Sequence, residues 1–217
     1  MKKLTNQSEL NSPSSYDKIF LERQKKGVDE HDARRWRRLL KYYKGGKLFD
    51  GGCLDSEIPE IMMEYLLDGV GEYHGIDIAE ESINTRSLVW RNIQGAYFSV
   101  SNVYDTKFDD SLFEYAVLGE VLEHLEKPDY AIKEAMRILK PGGVLAISVP
   151  LDEAREPGAV DGHRHIWSFD EKDMHALLGG YGKVETHVPM RFFRNLFLKP
   201  PFYRYCWPSL ISFCWKT

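Results

Sequence analysis

Cysteine is scarce in this chain, and what there is does not pair. The three cysteines, Cys53, Cys206 and Cys214, are an odd number without metal-ligand spacing, which argues against a disulfide-stapled secreted domain or a zinc site. All three read as reduced thiols of a cytosolic protein. Long apolar runs are missing as well: none approaches the ~20 residues that span a bilayer. The two lysines at the N-terminus have no apolar stretch behind them, so a secretory signal is not expected. Positive charge is not in excess, because 29 Lys and Arg face 33 Asp and Glu for a net −4. That balance gives no support for a general nucleic-acid surface. The expectation is a cytoplasmic protein, soluble or at most peripheral to a membrane.

What is present is ordinary for a globular fold: 217 residues, 43% hydrophobic and 29% charged, enough for one domain with a substantial core. The organising stretch is residues 47–56, KLFDGGCLDS. Apolar positions run into an acid and two glycines, and Pro59 then opens the amphipathic run Ile61 to Leu67. This reads as a buried strand, a tight turn and a helix with Pro59 in its first turn. Glycine lets backbone approach a ligand, and a helix N-terminus offers free N–H groups. About 27 residues after Asp50, a second strand ends in Asp77, where an acid can bind both hydroxyls of a ribose. Further strands are read at Ala96–Asn102, Phe113–Gly119 and Val144–Val149, with helices at Ile83–Ile93 and Tyr130–Leu139. Such alternation implies a parallel sheet covered by helices on both faces.

Residues 119–129 (GEVLEHLEKPD) and 137–150 (RILKPGGVLAISVP) complete the pattern. With the glycine turn and Asp77, they make residues 47–180 resemble the class I S-adenosylmethionine-dependent methyltransferases. The resemblance implies a Rossmann-like α/β fold, a three-layer αβα sandwich. Its seven-stranded, mostly parallel sheet would be closed by an antiparallel pair at Lys183–Val188 and Leu210–Trp215. It implies S-adenosylmethionine as cofactor, with S-adenosylhomocysteine as product. Asp50, Gly51 and Gly52 would hold its methionine part and Asp77 with Ile78 its ribose. Asn102 and Val103 would lie at the adenine, and Gly119 and Glu120 would line the cofactor.

Two positions depart from the family's usual Asp-x-Gly-x-Gly-x-Gly. Leu54 and Ser56 stand where the second and third of those glycines would be. Leu54 adds bulk beside the ligand and requires negative φ. The departure predicts weakened cofactor binding, restored by glycine at both positions.

Asp77 has an alternative use as a cap of the following helix, and Asn102 as a turn residue. Glu123 and His124 are read first as orienting the turn after the fourth strand. Glu120, Glu123 and His124 would also share one face of a helix. With His163 or His165 they would make a divalent-metal site of the kind the resemblance brings from small-RNA 2′-O-methyltransferases and ubiquinone-pathway O-methyltransferases. Because Glu-His at this place is widespread in metal-free relatives, the orienting role is favoured. His163 and His165 are also the candidate bases, since an imidazole can accept a proton near neutrality. Loop packing against Trp167 is the alternative.

Residues 1–43 read as a polar, flexible lead-in to Ser15 followed by a helical cap, and residues 44–217 as the methyltransferase domain of a single compact unit. Asp32 is the expected N-cap of a helix from Ala33 to Tyr43, ended by Gly45 and Gly46. Trp36, Leu39, Leu40 and Tyr43 form its apolar stripe. Arg34, Arg35, Arg37, Arg38 and Lys41 form the other face, either solvated or turned to an anionic substrate. Asp170 is expected to cap a helix from Glu171 to Leu178. The aromatic and basic segment Met190–Pro208 reads as core and substrate lid, as a peripheral membrane contact or as a dimer patch.

The function expected is methyl transfer to an O, N or C nucleophile of a small, conjugated or lipid- or carrier-linked metabolite. A catalytically degenerate binding scaffold and a nicotinamide-dependent oxidoreductase are the alternatives.

Overall fold

The computed structural model describes residues 1–3, 11–26, 30–54, 56–151, 165–188 and 209–217, with backbone only for 23–26 and 30–33. Seven strands form one sheet: β2 (Gly46–Gly51), β3 (Gly71–Asp77), β4 (Ala96–Val100), β5 (Phe113–Gly119), β6 (Leu139–Pro150), β8 (Gly182–His187) and β9 (Ser209–Lys216). Their spatial order is β4-β3-β2-β5-β6-β9-β8. Neighbours from β4 to β6 pair in parallel, whereas β9 is antiparallel to both β6 and β8. The order turns around between β2 and β5, the two central strands, and such a reversal opens a crevice at the carboxyl ends of the strands.

Successive residues of the central strands serve opposite faces. On one face Phe49, Ala116, Leu118, Leu145 and Ile147 pack with Ala131, Ile132, Ala135 and Met136 of α6 (Pro128–Ile138) and with Met174 and Leu178 of α7 (Glu171–Leu178). On the other, Leu48, Tyr115, Val117 and Ala146 pack with Trp36 and Leu39 of α2 (Glu30–Leu39). Both faces of the central strands β2, β5 and β6 are largely buried, so these strands read as continuous apolar runs rather than alternating ones.

Several local expectations need correction. The run after Pro59 is two short helices, α3 (Ile58–Ile61) and α4 (Met63–Leu67), because Met62 has φ −82 and ψ 0 and interrupts helical geometry. Asp32 lies inside α2, which starts at Glu30, and α2 ends at Leu39. Gly45 and Gly46 instead take φ of +108 and +86 to turn the chain into β2. Residues 140–143 belong to β6, where they bulge between the pairs Phe113↔Leu139 and Tyr115↔Val144. Within the lead-in, β1 (Lys2–Lys3) pairs antiparallel with β7 (Trp167–Ser168), and α1 (Pro13–Lys26) begins before Ser15. A last helix, α5 (Glu80–Trp90), connects β3 to β4. Cys53 and Cys214 are free and buried, while Cys206 and the segment 190–208 lie outside the described residues. Among the described residues, no helix is long and apolar enough to cross a membrane.

Asp170 does cap α7. It accepts from the Asp173 N–H at 2.8 Å, and the Asp173 side chain returns the contact to the Asp170 N–H at 3.0 Å. Asp170→Ala is therefore expected to cost about 1 kcal/mol and lower Tm by about 2–4 °C, read by thermal unfolding.

Candidate functional site

A cavity of about 470 Å³ opens where β2, β3, β4 and β5 end, within the size range of small-molecule sites. Its floor is the turn after β2. Gly52 takes φ +78, and a Cβ there would lie 2.5 Å from Val121 Cγ2, so only glycine fits without displacing Val121. The Asp77 carboxylate organises this floor through the N–H groups of Leu54 and Ala79, each 2.9 Å away. The carboxylate also borders the cavity, where a carboxylate can accept hydrogen bonds from the hydroxyls of a ribose. The helix-capping contact and the ligand-facing role thus coexist in one side chain.

Asp50 is placed differently from expectation. It is 1% exposed and does not line the cavity; its carboxylate accepts from Tyr73 Oη at 2.8 Å beneath the turn. Burial pushes its pKa up to about 6, against the opposing pull of the Tyr73 and Ser56 hydroxyls and of Arg86. Gly51 also lies off the cavity lining; a Cβ there would lie 2.8 Å from Leu118 Cδ2 and 2.9 Å from Phe49 Cε1. Both residues shape the turn from below.

On the β3–β4 side the lining comprises Ile78, Asn102, Val103 and Tyr104. Asn102 Oδ1 accepts the Tyr104 N–H at 2.9 Å, the local bond of a turn asparagine, while the residue still borders the cavity. The opposite side is built by the end of β5 and the N-terminal helices. Asn11, Tyr16 and Ile19 contribute from the α1 segment, Arg35 and Trp36 from α2. Trp36 lies so close to Gly119 that a Cβ there would be 2.3 Å from Trp36 Cζ3.

Glu120, at the end of β5, has φ +56, a conformation that is strained for a side chain other than glycine. Its Oε2 lies 3.8 Å from Arg35 Nη1, and its Oε1 is buried without a hydrogen-bond partner among the described residues. Arg35 thus faces the cavity, while Arg34, Arg37 and Arg38 are solvent-exposed.

The third component is a cluster on the 3₁₀ turn Leu122–His124. Glu123, His124 and His165 bring their ligating atoms within 4.8 Å of one another. The Ile166 N–H donates to Glu123 O at 2.6 Å and Trp167 Nε1 to Leu125 O at 2.8 Å, which draws the His165 loop to the turn. Tyr16 packs edge-on to His124 at 6.1 Å between ring centroids, and His124 to His165 at 4.7 Å. A carboxylate with two imidazoles suits either proton handling or a divalent cation. Glu120 does not join this cluster, because a 3₁₀ turn lacks the α-helical repeat that would align it. His163 lies outside the described residues.

Sequence reasoning thus found Gly52, Asp77, Ile78, Asn102, Val103, Gly119, Glu120 and His165, which line one cavity. It missed Asn11, Tyr16 and Ile19. No local motif marks these residues, since their place depends on how α1 docks.

The methyltransferase-domain family matches this chain over residues 49–147, the span from the turn through β6. Over that span the chain is similar to the class I S-adenosylmethionine-dependent methyltransferases. A demethylmenaquinone methyltransferase of Staphylococcus carnosus is 27% identical over 65% of this chain and 58% of its own; the chain spans about half the length of the curated relatives it matches. Among solved structures, a 1,6-didemethyltoxoflavin N1-methyltransferase of Burkholderia thailandensis superposes with TM-score 0.70 at 17% identity, covering 100% of this chain and 92% of that one. The cyclase SpnF shares the fold at TM-score 0.59 and 18% identity, over 83% and 78% of the chains. At these identities the structures establish the fold, and SpnF illustrates that fold and activity separate.

The methyltransferase cofactor fits the residues present: a turn in which Gly52 has positive φ, a strand-end carboxylate bordering the cavity, and a cavity of small-molecule size. Asp77→Ala is expected to abolish measurable binding of S-adenosylhomocysteine in calorimetric titration; retained affinity would remove the ribose role. Asp50 adds a pH signature. Its folded pKa is raised, so between about pH 4 and 6 the unfolded chain releases the proton first, and stability falls as pH rises through that window. Asp50→Asn should flatten this part of the Tm–pH profile.

Proposed function

We propose that this chain transfers the methyl group of S-adenosylmethionine to an oxygen, nitrogen or carbon nucleophile on the ring of a small or conjugated metabolite. One observation carries the reading: the cavity has one side at the ends of β3 and β4, lined by Asp77, Ile78, Asn102 and Val103, which suits a nucleoside, and a separate side made by Tyr16, Arg35, Trp36, Glu120, His124 and His165. The second side combines aromatic surface with a cation, a carboxylate and two imidazoles, which suits a flat acceptor bearing O–H or N–H groups. The ring substrates in the names of the menaquinone-type and toxoflavin-type relatives support the same class.

When bound, the cofactor supplies an electrophilic sulfonium methyl group. The chain's own contribution is alignment and proton handling. Asp77 would hold the ribose end, and Gly119 and Glu120 would line the cofactor across the same cavity. Glu120 Oε1 accepts a hydrogen bond from the acceptor's O–H or N–H, which orients the nucleophile. A ring nitrogen of His165 takes the acceptor's proton, with His124 and the Glu123 carboxylate beside it. Arg35 offers a positive charge to an anionic acceptor. The helices α1 and α2 act as a cap that encloses this side.

The test is transfer of a labelled methyl group from S-adenosylmethionine to a panel of hydroquinones, phenols and heterocyclic amines. Turnover of at least one ring acceptor is expected, with His165→Ala lowering kcat by about 10²-fold or more while S-adenosylhomocysteine affinity is unchanged. Unchanged kcat would overturn the role of His165. Loss of turnover on chelation, restored by Mg²⁺ or Mn²⁺, would assign the Glu123–His124–His165 cluster to a cation instead. Cofactor binding without transfer to any of the panel would favour a binding scaffold.

A further inference from the structure

We propose that Arg86 and Ser82 of α5 are positioning residues for the cofactor turn, doing there what glycine does at positions 54 and 56 of the family pattern. The inference rests on the cofactor reading of the cavity. Glycine in such a turn permits close backbone approach, but leaves the backbone free to move. Here both non-glycine positions are tied from outside. The Ser82 hydroxyl donates to the Leu54 carbonyl, and Arg86 Nη2 donates to the Ser56 carbonyl at 2.6 Å. The two donors are four residues apart on α5 and so lie on one helical face. Asp77 completes the set by taking the Leu54 N–H at 2.9 Å.

Each tie is held in place. Ser82 is fully buried and Arg86 is only 8% exposed. A guanidinium brought out of water demands partners, and Arg86 has them at Nη2, while its Nε is buried without a hydrogen-bond partner among the described residues. Glu60 Oε2 lies 3.5 Å from Nη2, and the Phe98 ring centroid lies 5.3 Å from the guanidinium carbon. The fork geometry of arginine lets one side chain serve the ion pair, the ring face and the carbonyl together. Ser56 uses its own side chain too: its Oγ accepts the Ile58 N–H at 3.2 Å at the start of α3. Glycine at position 56 would remove this contact. The departure from the glycine pattern is thus a replacement of one way of shaping the turn by another, and the expectation that glycine restores affinity is reversed.

The experiment is calorimetric titration of the full chain with S-adenosylhomocysteine, at a temperature well below the Tm of every variant, beside thermal unfolding without ligand. Wild type is measured first; absence of binding would refute the cofactor reading itself. Given wild-type binding, Arg86→Met should lose about tenfold or more in affinity, from a lost hydrogen bond with a charged donor. Arg86→Lys should recover only part of it, and Ser82→Ala should lose severalfold. Ser56→Gly should bind more weakly than wild type. A merely structural Arg86 would lower Tm and leave the dissociation constant within twofold of wild type, which overturns the proposal. Tighter binding by Ser56→Gly would overturn it as well. Should Arg86→Met fail to fold, the Ser82 and Ser56 variants decide the question alone.

Discussion

The Asp77 carboxylate, shared between the N–H groups of Leu54 and Ala79, is the contact on which the site depends. It ties the turn after one central strand to the beginning of α5. Parallel register makes this possible: Asp50 stands opposite Gly75 and Gly51 opposite Ile76, so Asp77 ends β3 one step beyond the place where β2 turns away. A one-residue slip would aim that carboxylate at the opposite face of the sheet. The buried apolar alternation on both sheet faces makes such a slip costly, so the core specifies the site's geometry as well as its stability.

Around that contact two kinds of polar group do different work. Asp50, Tyr73 and Arg86 lie beneath the turn and shape it, together with Ser56, which also borders the cavity. Asp77, Glu120 and the His124–His165 pair border the cavity and face whatever enters it. Glu120 is the clearest sign of the second kind, since a strained φ of +56 and a buried unpartnered oxygen both carry a free-energy cost. The first kind explains how a turn with Leu54 and Ser56 can keep a defined shape.

The central sheet was legible in the sequence because its strands are apolar runs and β2, β3 and β5 end in glycine or an acid. The Asp170 cap was legible for the same local reason. Errors arose where a local pattern had two outcomes. Pro59 followed by apolar residues promised one helix, and Met62 divides it in two. Asp50 at a strand end looked ligand-facing, yet the hydroxyl of Tyr73, two residues into the next strand, draws it beneath the turn. Glu120, Glu123 and His124 have helical spacing, but a single 3₁₀ turn aligns only the last two with His165. Arg35 was one of five basic residues on a helix, and only docking of Trp36 against Gly119 distinguishes it from its exposed neighbours. Such distinctions come from tertiary packing, which spacing alone does not encode.

The strand order has a consequence for synthesis on the ribosome. β9 follows β8 in the chain yet lies between β6 and β8, so β8 has no partner until the later strand has emerged from the exit tunnel. During that interval β6 presents an open edge, and the nascent sheet carries a vacancy only one downstream segment can fill. Residues 209–216 therefore act as the latch of the translated domain: the sheet closes late, across a long stretch of chain, and a ribosome paused before them leaves a protein that has its cofactor-binding strands but an unfinished edge.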